Sequence, residues 1–289
     1  NIGINKVLIL KTREMYSQRL AKQGIFVHKT NKFWKLKKQK LIKLVHEVEN
    51  DKINYPPYFT ELIHGYENGH LNWDHAFETK CHMENSAMMS VRELTKNHET
   101  ISPSKAYDIY TDHLITHIVN HIPHCQQVRH ISDFGCGTGE LVRKLSQHFN
   151  ANINAIDLSP YYLAIALYNN IYDNITYIHD NMETIQIKSD SQDLVTICYV
   201  FHEMPEKAIK YSLENAYRIL KPGGQIIIID MKPDQLPTYP SFIDISEPHL
   251  KNYRNVDIIK LMYKFDNRTE HYLHQRSYLF TGFKNNEFT

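Results

Sequence analysis

Cysteine is scarce in this 289-residue chain, and long apolar runs are absent from its sequence. The four cysteines form no C-x-x-C pair, and a chain of this length needs no disulfide framework to fold. We therefore expect reduced thiols and a cytoplasmic location. The opening apolar patch, VLIL, is too short for a signal-peptide core. No run approaches the length of about 20 apolar residues that a membrane-spanning helix needs, so no membrane span is predicted.

Metal motifs are also missing, although the chain has 18 histidines. The histidines are scattered and no HExxH motif occurs. The pair His202-Glu203 is followed at position 206 by glutamate rather than histidine. Because zinc ligands recur at such spacings, the sequence does not support a metal site. No internal repeat or low-complexity tract is present, and 42% hydrophobic with 22% charged residues is ordinary for a globular protein.

The net charge of +1 conceals an uneven distribution along the chain. Residues 1–50 contain 12 Lys or Arg against 3 Asp or Glu, whereas the remainder contains 21 against 29. Such a basic amino-terminal arm could contact nucleic acid, anionic lipid or an acidic partner. It could equally be the solvated face of a helix, KFWKLKKQKLIKLVHEV, with Leu36, Ile42 and Val45 turned inward.

The pattern of apolar residues along the chain changes near residue 128. Before it the patterns are helical, and Ser102 with Pro103 predicts a helix start, as cap and first-turn proline. After it, strands rich in Ile and Val (HISDFG, NINAID, ITYIH, DLVTICYVF, QIIIIDM) alternate with amphipathic helices (ELVRKLSQHF, PYYLAIALYNN, KAIKYSLENAYRIL). This alternation predicts an α/β fold with a parallel sheet covered on both faces. The final segment, TEHYLHQRSYLFTGF, predicts two strands joined by a short turn.

We therefore divide the chain into three parts. Residues 1–50 are predicted to form a basic helical arm, residues 51–127 a helical cap that carries substrate residues, and residues 128–289 the α/β core. The long segment KPDQLPTYPSFIDISEPHLKNY lacks periodicity, which is typical of a lid or binding loop.

The strongest signal is the segment ISDFGCGTGEL, where a strand ends, three glycines follow at every second position, and a helix begins. Glycine allows a tight turn and lets a ligand approach the backbone closely. The spacing G-x-G-x-G differs from the G-x-G-x-x-G of pyrophosphate-binding loops. Asp133, two residues before the first glycine, would repel phosphate but can accept a hydrogen bond from an ammonium group.

Two further carboxylates follow at strand ends. Asp157 ends the second strand, where it can bind both hydroxyls of a ribose. Asp180 ends the third strand, where a side chain or the backbone can contact the edge of an adenine. A ligand with a ribose, an adenine and a positive charge but no phosphate is S-adenosylmethionine.

Residues 128–231 resemble the core of class I S-adenosylmethionine-dependent methyltransferases. The resemblance rests on the glycine loop, Asp157, Asp180, the DLV that starts the fourth strand, and LKPGG (residues 220–224) before the fifth. It implies a Rossmann-like sheet, mostly parallel with a final antiparallel strand, under an N-terminal helical cap. It also implies S-adenosyl-L-methionine as cofactor. The predicted cofactor-binding residues are Asp133, Gly135, Cys136, Gly137, Gly139, Asp157, Leu158, Asp180, Asn181, Met182 and Tyr199.

A weaker resemblance extends outside the core. Residues 55–78 and 246–253 are similar to segments of a little-characterised group of small-molecule-type methyltransferases, which does not supply a substrate. The predicted substrate residues are Tyr55, Tyr58, His64, Tyr66, Trp73 and Glu203. The segment NYPPYF is unlike the amino-methylating motif of DNA enzymes, because Tyr55 precedes its prolines and because that motif belongs at the end of the fourth strand.

The end of the fourth strand, YVFHEMP, holds the candidate catalytic residue His202. Ligands of open parallel sheets bind at the carboxyl ends of the strands, so His202 is predicted to face the cleft. Three roles stay open for it: general base, contact to substrate or cofactor, and structural anchor. The expected function is methyl transfer to a small molecule. The alternatives are methylation of protein or RNA docked on the basic arm, and a non-catalytic cofactor-binding module.

Overall fold

The computed structural model describes residues 2–95, 101–236, 249–274 and 277–285, which form a seven-stranded sheet flanked by helices. Its strand order is β3-β2-β1-β4-β5-β7-β6. The strands are β1 (His130–Phe134), β2 (Asn152–Asp157), β3 (Ile175–His179), β4 (Gln192–Cys198), β5 (Leu220–Met231), β6 (Asp266–His274) and β7 (Ser277–Phe283). Neighbours among β1 to β5 are parallel, and β7 is antiparallel to both β5 and β6. The predicted mostly parallel sheet with an antiparallel strand is confirmed, and the final segment forms the two expected strands, β6 and β7.

Helices precede the sheet and follow β1, β2 and β4. They are α1 (Ile2–Ala21), α2 (Val27–Val48), α3 (Pro57–Thr60), α4 (Trp73–Thr95), α5 (Pro103–Asn120), α6 (Glu140–His148), α7 (Pro160–Asn169) and α8 (Glu206–Ile219). Two short helices, Leu250–Tyr253 and Ile258–Leu261, lie between β5 and β6. Within the described residues, no helix combines the length and the apolarity that crossing a bilayer demands.

Alternate residues of each strand enter two separate cores, as a sheet covered on both faces requires. In β5, for example, Ile227 and Ile229 pack in the core formed with α4 to α7. Ile226 and Ile228 pack in the core formed with α8 and the short helices. All four side chains are fully buried. The run of isoleucines, with both faces apolar, is therefore explained by helices on both sides.

The second helix of the basic arm is docked on the core. Trp34, Leu41 and Val45 of α2 are buried against Tyr162 and Ile165 of α7. These three positions are spaced by one or two helical turns, so they form one apolar stripe. Val45 is buried and Ile42 half-buried, as expected of inward-facing residues. The same expectation for Leu36 is wrong, because this side chain is 76% exposed on the opposite face of the helix.

The predicted start of α5 is confirmed. Ser102 is the N-cap, its side chain accepts a hydrogen bond from the backbone N–H of Lys105, and Pro103 occupies the first turn. The LKPGG segment, expected to precede the fifth strand, instead belongs to β5, which begins at Leu220. Of the predicted lid, Pro233–Gln235 forms a 3₁₀ turn and Leu250–Tyr253 a short helix. Its residues 237–248 lie outside the described part of the chain.

Candidate active site

The glycine loop joins β1 to α6 in a left-handed backbone conformation. Gly135, Gly137 and Gly139 have φ values of 74°, 55° and 80°. A Cβ on Gly135 would lie 2.5 Å from Val200 Cγ2, so this position has no room for a side chain. A Cβ on Gly137 would meet nothing within 4 Å. The loop therefore presents bare backbone to an open space at Gly137, which is the shape that close approach of a ligand requires.

Asp157, at the end of β2, holds this loop. Its Oδ2 accepts a hydrogen bond from the backbone N–H of Gly137 at 2.8 Å, and its Oδ1 accepts one from the N–H of Ser159 at 2.8 Å. A carboxylate can accept about four hydrogen bonds, so each oxygen keeps capacity for a ligand hydroxyl. Burial raises the pKa of Asp157 despite these two backbone hydrogen bonds.

Asp133 lies beside Asp157 on the neighbouring strand β1. Its Oδ1 accepts a hydrogen bond from the Thr196 hydroxyl at 2.5 Å. Burial, with the Asp157 carboxyl as a smaller contribution, raises the pKa of Asp133 to about 7. The two buried carboxyls therefore offer a negative charge to a cation and acceptors to a diol.

A cavity of about 570 Å³ opens beside these carboxyls, along the carboxyl ends of β1, β2 and β4 and beneath α4, α5 and the segment 58–70. Most of the residues predicted for the site line it. They are Tyr58, His64, Asp133, Gly135, Cys136, Gly137, Asp157, Leu158, Asp180, Asn181, Met182, Tyr199, His202 and Glu203. The cavity thus connects the glycine loop with the segment after β4.

Four predicted site residues are not brought to the cavity wall. Gly139 serves helix packing, since a Cβ there would lie 2.9 Å from the Tyr177 hydroxyl and 3.1 Å from Ala166 Cβ. The Tyr55 hydroxyl lies 3.2 Å from His179 Nε2, and His179 is the last residue of β3.

Tyr66 and Trp73 pack instead of lining the cavity. Tyr66 is 1% exposed and its hydroxyl donates to Glu78 Oε2 at 2.5 Å inside the helical layer. The Trp73 ring packs against Tyr161 with centroids 4.5 Å apart. These aromatics belong to the core, which is the usual place for such large side chains.

His202 lies on the 3₁₀ turn Phe201–Glu203 that follows β4. Its Nδ1 is 2.8 Å from Asp230 Oδ1, at the carboxyl end of β5. Asp230 is fully buried, and its Oδ2 accepts hydrogen bonds from the backbone N–H groups of Val200 and Phe201 at 3.1 and 2.8 Å. Asp230 therefore acts as an acceptor that fixes both the turn and the His202 ring. The sequence interpretation missed Asp230, although it ends an apolar strand at the same edge as Asp157.

Glu203, the next residue of the turn, is held by two histidines from the segment 58–70. Its Oε1 accepts a hydrogen bond from His64 Nε2 at 2.7 Å, and its Oε2 lies 3.2 Å from His70 Nε2. We call these three residues the Glu203 clasp. Burial alone would raise the pKa of Glu203, but His70 and His64 outweigh burial and hold this pKa well below its usual range.

His70, His75 and His82 were not among the predicted site residues, yet all three line the cavity. The His75 ring stacks on Tyr66 with centroids 4.3 Å apart and on His70 with centroids 5.1 Å apart. Burial and the neighbouring histidines lower the pKa of His75 well below 6.5, and burial lowers the pKa of His82 to about 3. The signal in the sequence was the density of histidines in residues 64–82.

A chain of hydroxyls forms another side of the cavity. The Tyr110 hydroxyl donates to the Tyr199 hydroxyl at 2.5 Å, and Tyr199 donates to Ser277 Oγ at 2.9 Å. Tyr199 has a φ of 55°, an uncommon value for a residue other than glycine that is characteristic of functional sites. Among the described residues, no group of three or more His, Cys, Asp and Glu side chains is arranged to hold a metal ion.

The strand order with its antiparallel β7, the left-handed glycine loop after β1 and the buried carboxyl after β2 define the class I methyltransferase fold. A family model described as "Methyltransferase domain" matches residues 131–224, which run from β1 into β5. The match includes the glycine loop, Asp157, Asp180 and the turn that carries His202.

Curated proteins and solved structures resemble the same region. The ubiquinone/menaquinone biosynthesis C-methyltransferase UbiE of Pseudoalteromonas translucida is 32% identical over 112 residues, which are 36% of this chain and 44% of that protein. The protein of the same name from Allorhizobium ampelinum is 25% identical over 120 residues, 39% of this chain and 46% of that protein. The chain thus spans less than half the length of these relatives.

A solved structure shares the fold. Phosphoethanolamine N-methyltransferase 2 of Haemonchus contortus, in complex with S-adenosyl-L-methionine, superposes with a TM-score of 0.51 at 16% identity. The superposition covers 61% of this chain and 53% of that one.

Proposed function

We propose that this protein is a methyltransferase that uses S-adenosyl-L-methionine to methylate a small-molecule acceptor and releases S-adenosylhomocysteine. The observation that carries the proposal is the continuity of one cavity from Gly137 and Asp157 to His202. A cofactor site and an acceptor site must share such a space, because methyl transfer requires the two reacting atoms to be aligned in contact.

The residues at one end of the cavity fit the cofactor. Asp157 has acceptor capacity for the ribose hydroxyls, and the open space at Gly137 allows the methionyl part to approach the backbone. Asp133 offers a carboxyl to the ammonium group. Asn181 and Met182, which follow β3, are assigned to the adenine. S-adenosylmethionine, when bound, supplies a methyl group activated by a sulfonium charge.

His202 is assigned the role of general base. Because Asp230 Oδ1 accepts from Nδ1, the ring carries its proton on that nitrogen and its lone pair on Nε2. Replacing the hydrogen of an acceptor O–H or N–H by a methyl group releases one proton, and Nε2 can receive it. Asp230 holds the ring and stabilises the imidazolium that forms, in the way that a buried carboxylate supports a catalytic histidine.

The partly enclosed cavity favours a small molecule over a macromolecule as acceptor. Docking of nucleic acid or of an acidic partner on residues 1–50 stays a prediction. It is supported by exposed lysines of α2, such as Lys32, Lys35 and Lys43. The cytoplasmic location also stays a prediction, supported by the four free cysteines.

The test is transfer of label from S-adenosylmethionine carrying a tritiated methyl group into a metabolite extract. The extract is separated by size after incubation with wild-type protein or with Asp157→Ala. We expect label in small-molecule products other than S-adenosylmethionine with wild type, and at least about tenfold less with the variant, since a charge-assisted hydrogen bond contributes about 1.5 kcal/mol or more. Label in protein or RNA would contradict the small-molecule acceptor. Cofactor binding without any transfer would favour a non-catalytic module.

A further inference from the structure

The wall of the cavity is rich in carboxyl groups. Among the described residues that line it, five carry carboxyl groups (Asp133, Asp157, Asp180, Glu140 and Glu203) and none is Lys or Arg. The charge of Glu140 is paired, since Arg143 Nη2 lies 3.4 Å from Glu140 Oε1. The cofactor assignment uses Asp133, Asp157 and Asp180. Glu203 therefore remains as an ionised group that the cofactor does not explain.

The Glu203 clasp leaves the carboxylate able to bind a further donor. Each oxygen accepts from one imidazole, and a carboxylate has about four acceptor positions. The Glu203 side chain is 18% exposed, and this exposure is toward the cavity that it lines. His64 and His70 thus orient the carboxylate and leave acceptor positions on both of its oxygens. His202 Nε2 lies 3.8 Å from Glu203 Oε1, so a donor bound here lies beside the proposed base.

Three other imidazoles of the wall, those of His75, His82 and His274, are shifted toward the neutral form. At neutral pH His75 and His82 are uncharged, because burial lowers the pKa of both. His274 lines the wall near Ser277, and burial lowers its pKa to about 4. These three imidazoles therefore add no positive charge to the wall at neutral pH.

Aromatic side chains line the cavity together with these carboxyl groups. The Phe59 ring stacks on His70 with centroids 5.0 Å apart, and Tyr58 lies on the same segment. Aromatic faces attract cations in addition to burying apolar groups. A carboxylate beside aromatic faces is a combination that suits an organic amine.

We propose that the methyl acceptor is an amine-bearing small molecule whose N–H group is bound by Glu203, and that anionic acceptors are excluded. The proposal rests on the proposed function for the methyl transfer, but not for the binding of amines. A carboxylate or phosphate placed here would face like charges in a partly dehydrated space, which costs binding free energy. An ammonium or amine group gains a charge-assisted hydrogen bond.

The first test uses two probes of the same size, benzylamine and benzoate, titrated into the protein with and without S-adenosylhomocysteine. We expect benzylamine to bind at least about tenfold more tightly than benzoate, as one charge-assisted hydrogen bond predicts. Glu203→Gln should abolish the preference, whereas Glu206→Gln, an exposed carboxylate three residues further on, should keep it. Equal binding of the two probes by wild type, or no binding of benzylamine, would overturn the proposal without recourse to any variant.

The second test separates this proposal from the proposed function. The labelled products are separated from unreacted S-adenosylmethionine, which is itself a cation, and are then passed over cation- and anion-exchange resins. Label retained by the cation exchanger supports an amine acceptor, and label retained by the anion exchanger overturns it while methyl transfer stands. If the protein neither binds S-adenosylmethionine nor transfers label, the proposed function fails, and the benzylamine titration still decides the role of Glu203.

Discussion

His202 Nδ1 and Asp230 Oδ1 lie 2.8 Å apart, although 28 residues of sequence separate them. The contact ties the turn after β4 to the end of β5, and Asp230 also receives the backbone N–H groups of Val200 and Phe201. His202 can therefore anchor the turn after β4 and also act as a general base. The buried carboxylate fixes the ring, and a fixed ring can present Nε2 to an acceptor.

Replacing His202 by alanine separates these roles. We expect kcat to fall by about two orders of magnitude or more, the range for loss of a general base, while the Kd for S-adenosylmethionine changes less than about threefold. Asp230→Asn should lower kcat and shift its pH profile, because the ring loses its charged partner. Glu206→Gln is the control. Equal losses of turnover and cofactor affinity in His202→Ala would leave only the anchor role.

Two glycines of the same loop should respond differently to alanine. Gly135→Ala combines a left-handed φ with a Cβ 2.5 Å from Val200 Cγ2, so we expect a loss of unfolding free energy of about 2 to 4 kcal/mol. Gly137→Ala has the φ strain but open space, so it should lose only about 1 to 2 kcal/mol. It should nevertheless weaken S-adenosylmethionine binding strongly, since its methyl group enters the proposed cofactor space. Chemical denaturation and calorimetry measure the two effects. If Gly137→Ala bound S-adenosylmethionine as tightly as wild type, the cofactor could not lie against this loop.

Asp133 should make cofactor affinity depend on pH. Its pKa of about 7 lies above the ordinary value of 3.8, so the apo protein holds a proton there that the unfolded chain releases. The contribution of Asp133 to folding stability therefore declines as pH rises from about 4 to 7. The ionised form attracts a cation, so S-adenosylmethionine affinity should rise through about pH 7. Asp133→Asn should flatten this rise in calorimetric titrations on either side of that pH. A slope unchanged in the variant would contradict the assignment.

A group of three histidines on α5 and β6 should destabilise the fold in acid. His113 and His117 of α5 face one another with ring centroids 4.4 Å apart, and the His274 ring of β6 lies 5.8 Å from that of His113. Burial, reinforced by the neighbouring imidazoles, lowers the pKa of His117 and of His274 to about 4. Since these folded-state values lie below the unfolded value of 6.5, their stabilisation is complete above pH 6.5 and is lost as pH falls toward 4.

Denaturant unfolding at about pH 7 and about pH 5 tests this effect. Glu93 near His274 partly offsets the repulsion, and the carbonyl of Leu273 accepts a hydrogen bond from His113. Even so, we expect wild type to lose more unfolding free energy between the two pH values than His117→Gln does. Equal losses in the two proteins would contradict the lowered pKa of His117.

The sequence predicted the features that depend on local chemistry. Runs of Ile and Val marked the strands of a doubly covered sheet, and alternating glycines at a strand-to-helix junction marked the loop at Gly135 and Gly137. Asp157 could be placed because the carboxyl ends of parallel strands share one edge. These signals are contained within a few residues or follow from topology.

The features that were missed depend on contacts across the fold. The Glu203 clasp joins residues 139 positions apart through an irregular segment in which His64, Gly65 and Gly69 all have positive φ values. No periodicity predicts such a path. Tyr58 and Tyr66 look alike in sequence, but Tyr66 turns into the helical layer because Glu78 accepts its hydroxyl there. Leu36 likewise lies on the wrong side of the stripe that docks α2.

The most direct measurement is calorimetric titration of S-adenosylmethionine into wild type, Asp157→Ala and Asp157→Asn. We expect binding of one cofactor per chain to wild type and at least about tenfold weaker binding to Asp157→Ala, because the ribose loses a charged acceptor. Asp157→Asn, which keeps one oxygen, should fall between them. Cofactor affinity that is the same in all three proteins, or wild type that binds a dinucleotide in preference to S-adenosylmethionine, would contradict the assignment of this cavity.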